Sequence, residues 1–293
     1  MKLRSNLLLL CTAFIWGFAF VAQRAGMEHV GPFTFNGVRF ALGAASLLPL
    51  IWYYGKRQLP QENGATYRAP DRSRHIGLLA GLIIFIAASL QQMGMIYTSA
   101  GKAAFITCLY IVLVPLAGLF FRQPPSAGTW IGTSLATAGL YLLCVKNDFT
   151  ISYGDWLVLA GAAFWTAHII LIGRYAAHLD SLRLASAQFL ACAALSMVTA
   201  LLTEEITLAG LHEAGIPILY GGICSVGIAY TLQIVGQKHA EPAHAALILS
   251  TETVFGAIGG YLILNELLMT RELLGMGLMV AGMLSAQLHN LGH

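Results

Sequence analysis

Ten long apolar segments, separated by charged residues, prolines and glycines, constrain the fold of this sequence more than any other feature. A helix that crosses a bilayer needs roughly 20 mostly apolar residues, and each segment is close to that length. The pattern therefore predicts an all-α integral membrane protein with ten transmembrane helices. The predicted spans are 5–23, 32–54, 75–97, 101–121, 127–145, 153–173, 182–202, 215–236, 242–262 and 271–289.

The composition agrees with a membrane protein and excludes a soluble or disordered chain. Only 10% of the 293 residues are charged, whereas a soluble domain carries roughly 25%. The net charge of +3 is spread along the chain and forms no basic stripe. Nucleic-acid binding is therefore not expected.

The sequence lacks the motifs of the common enzyme and metal sites. Its five cysteines are scattered through apolar segments without a C-x-x-C pair, which is typical of small packing residues. The run Gly101-Lys102-Ala103 lacks the Ser or Thr that follows the lysine of a phosphate-binding loop. Neither H-E-x-x-H nor G-x-S-x-G occurs. We therefore expect no cofactor, no metal site and no enzymatic activity.

The basic residues predict how the chain is oriented. With a cytoplasmic N-terminus, eleven of the 16 lysines and arginines fall in inner segments and four in outer segments. The positive-inside rule then places both termini in the cytoplasm, and we expect a bacterial-type inner membrane. The one long connection, 55–74, combines basic residues with Gly, Pro and polar residues and is predicted to be a flexible cytoplasmic loop.

The two halves of the sequence resemble each other. Matching residues lie 142 positions apart in the third, fourth, eighth and ninth spans, 143 apart in the fifth and tenth, and 149 apart near the start of each half. We predict a five-helix repeat at 1–147 and a second at 148–293. The matching pairs are Trp16 with Trp165, Arg39 with Gln188, Gln91 with Gln233, Gly94 with Gly236, 103–106 with 245–248, Gly132 with Gly275, and Gly139 with Gly282.

An odd number of spans in each repeat means that the second repeat enters the membrane in the opposite direction. Inverted repeats recur in secondary transporters, whose substrate site lies near mid-membrane where the repeats meet. Pro115 lies within a predicted span and is expected to kink it. Lys102 and His244 occupy equivalent helix starts on opposite sides, where interfacial and gating roles are both open.

Several short motifs resemble those of the EamA-type drug/metabolite transporter superfamily. The resemblance covers both halves and implies ten helices, inverted repeats, a central cavity and export of small metabolites. The chain departs from the family pattern at Gln123-Pro124-Pro125 and at Thr253, so the substrate stays open. The motifs are the run 14–21 around Trp16-Gly17, Arg39 within 38–42, Pro115 after Leu113-Val114, Glu252 within 250–254, and Glu266 after Leu264-Asn265.

Glu252 and Arg39 are charged residues inside predicted spans, where a charge costs about 2.5–3.5 kcal/mol at a helix centre. At ~1.5 Å per residue, Glu252 lies ~15 Å deep and Arg39 ~10 Å deep. We expect both to reach the cavity, where a carboxylate whose protonation depends on access and on a partner suits proton coupling. The alternative is a permanent Arg39–Glu252 ion pair, or local capping, that only fixes packing.

Aromatic and amide side chains on these spans are predicted to complete a site for a small amphipathic solute. Trp165 and His168 share a helix face, as do Tyr230 and Gln233, and His168 is a candidate second proton carrier. For each glutamine alone, helix–helix hydrogen bonding is the alternative. The predicted site comprises Trp16, Arg39, Gln91, Gln92, Trp165, His168, Gln188, Tyr230, Gln233 and Glu252.

The predicted function is secondary transport of a small organic metabolite, as an exporter working by alternating access with proton coupling through Glu252. An amino acid, a nucleobase or nucleoside, and an amphipathic compound all fit. The expected partners are that solute, protons and membrane lipid, and the protein is expected to be a monomer or homodimer. An uncoupled facilitator is one alternative, and a membrane enzyme or lipid-handling protein is another.

Overall fold

A computed structural model describes residues 2–57, 69–98, 100–120, 125–144, 151–264 and 269–291, and these are helical apart from short turns. The first half contains six helices within those ranges. They are α1 (Lys2–Gly26), α2 (Pro32–Arg57), α3 (Ala69–Tyr97), α4 (Ala100–Thr107), α5 (Tyr110–Phe120) and α6 (Ala127–Cys144).

The second half begins with two long helices and continues with several short ones. A π-helix lies between two short α-helices. Two further helices and a long C-terminal helix follow it. The elements are α7 (Tyr153–Tyr175), a 3₁₀ turn (Ala176–His178), α8 (Ser181–Thr203), α9 (Leu208–Glu213), α10 (Gly215–Leu219), the π-helix (Tyr220–Tyr230), α11 (Thr231–Gln237), α12 (Pro242–Leu249), α13 (Glu252–Leu264) and α14 (Thr270–Leu291).

Each predicted span coincides with a helix or with a run of consecutive helices. Seven stretches of the described chain are long and apolar enough to cross a membrane. The predicted spans 127–145, 242–262 and 271–289 correspond to α6, to α12 with α13, and to α14, which are not among those seven.

The predicted loop 55–74 is shorter than expected, because α2 continues to Arg57 and α3 begins at Ala69. The rest of that loop, 58–68, lies outside the described residues. The same holds for four of the motif residues named above, Gln123, Pro124, Asn265 and Glu266.

Two predicted spans are broken near their middle. The chain leaves the helix at Cys108–Leu109, between α4 and α5, and again at Ser250–Thr251, between α12 and α13. Pro115, which is expected to kink this span, lies within α5, six residues beyond the break at Leu109. The second break contains no proline, so a missing backbone N–H does not explain it.

Side-chain hydroxyls explain the second break. Ser250 Oγ donates to the Leu247 carbonyl at 2.9 Å, Thr251 Oγ1 to Ile248 at 2.6 Å, and Thr253 Oγ1 to Ser250 at 2.9 Å. Such bonds compete with the backbone for helix carbonyls. The backbone tightens accordingly, since Thr251 N donates to the carbonyl three residues back at Ile248.

Close backbone contacts hold the helices together. A Cβ atom placed on Gly132 would lie 2.6 Å from the Gly282 carbonyl oxygen, and one on Gly275 would lie 2.6 Å from the Gly139 oxygen. Only glycine permits α6 and α14 to approach this closely. These glycines are therefore packing residues, and elsewhere α2 packs along α8 while α3 packs on both α7 and α8.

Glu204, which follows the last residue of α8, caps the start of α2. Its carboxylate oxygens accept from the backbone N–H groups of Phe33 at 2.8 Å and Thr34 at 2.7 Å, and from Thr34 Oγ1 at 2.6 Å. These N–H groups belong to the first turn of a helix and have no partner within it. A carboxylate at this position also interacts favourably with the helix dipole.

Candidate functional site

A cavity lies where the middle of α1 meets α2, α3, α7 and the two broken helices. Its cavity volume is about 50 Å³, so in this conformation it is a small, narrow space. Fourteen described residues line it, and they come from both halves. They are Trp16, Ala19, Phe20, Gln23, Arg39, Gln91, Thr107, Tyr110, Trp165, Ile169, Ser225, Tyr230, Gln233 and Glu252.

The structure brings seven of the ten predicted site residues together around this cavity and leaves three outside it. The three outside are Gln92, His168 and Gln188. His168 Nε2 and Gln188 Oε1 are 3.2 Å apart, so these two side chains bond to each other in the packed interior. Gln92 is fully buried beside the cavity-lining Gln91. His168, Gln188 and Gln92 are thus not among the described lining residues of this conformation, and their part in the site stays a prediction.

Three aromatic side chains form one wall. The rings of Trp165 and Tyr230 are stacked with centroids 6.2 Å apart, and Trp16 meets Tyr230 edge-on at 4.7 Å. Aromatic pairs in these arrangements are rigid and favourable. The wall is therefore preformed, with apolar ring faces available to the apolar body of a solute.

Gln91 is the centre of a hydrogen-bond network beside this wall. Its Oε1 accepts from Trp165 Nε1 at 2.9 Å and from Thr107 Oγ1 at 3.4 Å. Its Nε2 donates to Gln23 Oε1 at 3.3 Å, and Gln23 in turn donates to the Ala19 carbonyl. The side chain of Gln91 is therefore held in place by three partners.

Gln233, which matches Gln91 in the other half, is bonded differently. Its Oε1 is buried and has no hydrogen-bond partner in the described chain. Trp16, which matches Trp165, donates its Nε1 to the Ser225 carbonyl at 3.2 Å instead. That carbonyl belongs to the π-helix, a form often found at functional sites. One acceptor in the cavity lining is consequently left unused.

Glu252 lies at the junction of the two broken helices. Its Oε1 accepts from Tyr110 Oη at 3.0 Å and from Cys108 Sγ at 3.3 Å. Glu252 is the first residue of α13 and Tyr110 the first of α5, so both helix breaks meet at this carboxyl group. A Cβ on Gly17 would lie 2.6 Å from the Glu252 carbonyl oxygen, which explains the glycine beside Trp16.

Arg39 lines the cavity but does not pair with Glu252. Its Nε donates to Asn36 Oδ1 at 3.0 Å, and its guanidinium carbon lies 5.5 Å and 5.1 Å from the ring centroids of Phe35 and Phe40. The ion pairs formed by the described residues are His29–Glu213 and Lys102–Asp155. The alternative of a permanent Arg39–Glu252 pair is therefore not observed.

Sequence reasoning missed five residues that make polar contacts in the lining or directly behind it. The sequence contained a signal for Tyr110, because it lies 142 positions before Glu252. That offset is the one that relates matching residues of the two halves. Gln23 and Thr107 carried no such signal, and the Ser225 contact uses a backbone carbonyl. The missed residues are Gln23, Thr107, Cys108, Tyr110 and Ser225, of which Cys108 contacts Glu252 without lining the cavity.

Two further polar pairs lie at the ends of the helices around the cavity. Lys102 Nζ and Asp155 Oδ2 are 2.7 Å apart, and Thr98 Oγ1 donates to Asp155 Oδ1 at 2.6 Å. His244 Nε2 and Asn6 Oδ1 are 3.2 Å apart. Lys102 and His244 are offset by 142, and Asn6 and Asp155 by 149. The two pairs therefore occupy positions that the internal repeat relates to each other.

The part of the chain that is described holds no group of three or more His, Cys, Asp or Glu side chains arranged to bind a metal ion. Chemistry at the cavity therefore rests on hydrogen bonding, one guanidinium, one carboxyl group and aromatic contact. These groups can hold a solute through hydrogen bonds, charge and ring contacts.

Comparison with known proteins places this geometry in a family. A solved crystal structure, titled only as that of a protein, matches with a TM-score of 0.79 at 18% identity and covers 97% of this chain and 96% of its own. This likeness shows a shared fold.

Sequence relatives agree with it. An uncharacterized transporter from Archaeoglobus fulgidus is 29% identical over 271 residues, covering 91% of this chain and 80% of its own length. The uncharacterized inner membrane transporter YedA of Escherichia coli K12 is 24% identical, with coverage of 91% and 85%. The EamA-like transporter family model matches residues 3–145 and again residues 152–286. Because these matches span nearly the whole chain, the protein belongs to the EamA-like transporter family and is a multi-pass membrane transporter.

Proposed function

We propose that this protein exports a small organic metabolite across a bacterial-type inner membrane by alternating access, with a proton carried on Glu252. The observation that carries the proposal is the cavity shared by both halves, in which a guanidinium and a carboxyl group face the same space without pairing. The chain would cross the membrane ten times with both termini in the cytoplasm.

Contacts between matching positions support two inverted repeats at 1–147 and 148–293. Tyr110 bonds to Glu252 across an offset of 142. Gly132 faces Gly282 while Gly139 faces Gly275, so each member of one pair matches a member of the other. A two-fold axis between the halves produces such self-complementary contacts. The two separate family-model matches agree with the same division.

The two polar pairs at the helix ends support alternating access. With a cytoplasmic N-terminus, the Lys102–Asp155 ion pair lies at the outer end of the cavity and His244–Asn6 at the inner end. The outer pair is charged and short at 2.7 Å, whereas the His244–Asn6 distance of the inner pair is longer, at 3.2 Å. A recess lined by Gln237, Lys238 and Glu241 lies on the inner side. The protein would thus be closed outside and closer to opening inside.

The environment of Glu252 supports proton coupling. Its described partners, Tyr110 and Cys108, are neutral hydrogen-bond donors, and it forms no ion pair with any described residue. An ionised carboxylate inside a membrane without a counter-ion is costly. Protonation removes that cost, so proton binding would be linked to whether water and solute reach the cavity. Family membership favours a transporter over the membrane enzyme considered above.

Proteoliposomes test the proposal. Purified protein would be reconstituted and assayed for counterflow of amino acids, nucleosides and amphipathic aromatic compounds, with and without an imposed pH gradient. We expect one class to be transported, and the gradient to drive net flux in the wild type but not in Glu252→Gln. Glu213→Gln is the matched control, because this exposed carboxylate does not line the cavity.

The outcomes separate the parts of the proposal. Gradient-driven flux that persists in Glu252→Gln would exclude coupling through that residue and leave an uncoupled facilitator. Absence of counterflow for every class would contradict the transport function itself.

A further inference from the structure

The guanidinium of Arg39 is a buried cation without an anionic partner among the described residues. Arg39 is only 3% exposed, and no carboxylate of the described chain pairs with it. Removing a charge from water without a partner costs several kcal/mol, by order of magnitude. The two neighbouring phenylalanine rings offset part of this cost through cation–π contact.

Most of the hydrogen-bonding capacity of Arg39 is unused. A guanidinium has five N–H donors in a planar fork, and the described contacts use one of them, from Nε to Asn36 Oδ1. The side chain lines the cavity. The geometry thus leaves the end of the fork, which matches a carboxylate or phosphate in a two-bond arrangement, without an acceptor.

Gln233 supplies the complementary group. Its side chain is 1% exposed and lines the cavity, and Oε1 has no partner within the described chain. A buried acceptor left unsatisfied costs about 1–3 kcal/mol. A donor carried by a solute would remove this cost.

The reason for the unused acceptor is visible when the two halves are placed in register. Gln91 is held by Gln23 and Thr107. The positions that match these two residues, at offsets of 149 and 142, are Ile172 and Leu249, and both are fully buried. The second half has therefore lost the polar partners that satisfy Gln91, while the glutamine itself is retained at Gln233.

The two halves also differ at Arg39. The position that matches it is Gln188, which bonds to His168 outside the cavity. The described lining therefore contains a cation, Arg39, and a buried, unpartnered acceptor, Gln233 Oε1, whose matching positions, Gln188 and Gln91, are bonded within the protein. This difference between the two halves suits a solute that carries two different polar groups.

We propose that Arg39 and Gln233 form a two-point recognition site for a small organic acid that also carries an O–H or N–H donor. The Arg39 fork binds the anionic group, Gln233 Oε1 accepts from the donor, and the apolar body lies against Trp16, Trp165 and Tyr230. This assignment rests on the proposed transport function, whose substrate it narrows.

Binding of matched probes to the purified protein tests the assignment. The panel consists of 3-phenyllactate and 2-hydroxy-4-methylpentanoate, their primary amides, which lack the charge, and 3-phenylpropionate and 4-methylpentanoate, which lack the hydroxyl. Isothermal titration would measure Kd at fixed pH. We expect a hydroxy acid to bind the wild type about 10- to 100-fold tighter than its amide, and about 3- to 10-fold tighter than the acid without a hydroxyl.

Variants assign each preference to its residue. Arg39→Gln should reduce the acid-over-amide preference to about 2-fold or less, whereas Gln233→Leu should abolish only the preference for the hydroxyl. Gln287→Leu in α14 is the matched control outside the cavity and should keep both preferences. If Arg39→Gln does not fold, Arg39→Lys retains the charge and should retain a weakened preference for the acid.

Three results would overturn the assignment: amides that bind the wild type as well as the acids, an undiminished acid preference in Arg39→Gln, or no binding by any probe. Counterflow of the same probes separates this failure from that of the transport function. Acids that bind as expected but are never transported would contradict the transport function and leave the recognition site intact. Transport of a neutral solute without acid binding would contradict the recognition site and leave the transport function intact.

Discussion

Tyr110 and Glu252, separated by 142 positions, are bonded to each other at 3.0 Å, and each begins the helix that follows a break in its span. A hydroxyl from one half therefore holds the carboxyl group of the other. Any movement that separates the two halves at this point must break or replace that bond. Glu252 is in this way connected to the relative position of both halves.

Removing the tyrosine hydroxyl should weaken this connection. In Tyr110→Phe the ring remains but Glu252 loses one of its two described donors. We expect the flux driven by a pH gradient to fall about 3- to 10-fold, corresponding to one hydrogen bond, while thermal stability changes little. Proteoliposome flux measured beside Tyr153→Phe, an exposed tyrosine away from the cavity, is the comparison. Equal flux in both variants would show that the Tyr110–Glu252 bond is not used.

Breaking the Lys102–Asp155 ion pair should open the end of the cavity where it lies. Asp155→Asn removes the charge that faces Lys102 Nζ at 2.7 Å but keeps the side-chain size. We therefore expect Thr98→Cys to react several-fold faster with a membrane-impermeant maleimide when it is combined with Asp155→Asn than when it is present alone. Adding His244→Gln instead, at the other polar pair, should leave that rate unchanged. The same rate with and without Asp155→Asn would show that the ion pair does not close this end.

Side chains larger than glycine should disrupt the α6–α14 contact. In Gly132→Val the new Cβ would lie 2.6 Å from the Gly282 oxygen and 2.8 Å from the Ala286 Cβ, so the helices must separate. We expect a loss of about 1–3 kcal/mol, as for other overpacked interiors. Gly277→Ala in α14 is the control, because nothing lies within 4 Å of its Cβ position. Thermal unfolding in detergent micelles measures both, and equal stability of the two variants would contradict the close contact.

Loss of the Glu204 carboxylate should destabilise the start of α2. Glu204→Ala removes the acceptor for the N–H groups of Phe33 and Thr34, and loss of a comparable helix cap costs about 0.5–2 kcal/mol. The neighbouring Glu205→Ala changes an exposed residue and should have little effect. Hydrogen exchange at the amides of residues 33 and 34 provides a local measurement. Unchanged protection there in Glu204→Ala would argue against the capping role.

Helix positions were predictable from sequence because burial in lipid demands long apolar runs, and the boundaries of α1, α2, α7, α8 and α14 lie within a few residues of the expected ones. Aromatic and polar residues at matching positions, such as Trp16 and Trp165, also indicated the cavity. The backbone at Ser250–Thr251 was not predictable, because hydroxyl competition for carbonyls depends on side-chain rotamers that a hydropathy pattern does not contain.

Arg39 and Glu252 show the same limit of prediction from sequence. Depth along a helix identified Arg39 and Glu252 as members of the cavity, and both line it. Depth does not determine direction around the helix axis, however, so it did not distinguish pairing with each other from pairing with Asn36 and Tyr110. His168 illustrates this further, since it shares a face with Trp165 but bonds to Gln188 and is not among the described lining residues.

The π-helix at Tyr220–Tyr230 has a mechanical consequence for the aromatic wall. A π-turn contains more residues than an α-turn, so conversion to α geometry changes how far everything beyond it has rotated. One residue of register corresponds to about 100° around the axis. Tyr230 lies at the end of the wide turns and Gln233 just beyond them. A single such conversion would rotate both side chains about the helix axis and separate the Tyr230 ring from Trp165, against which it is stacked.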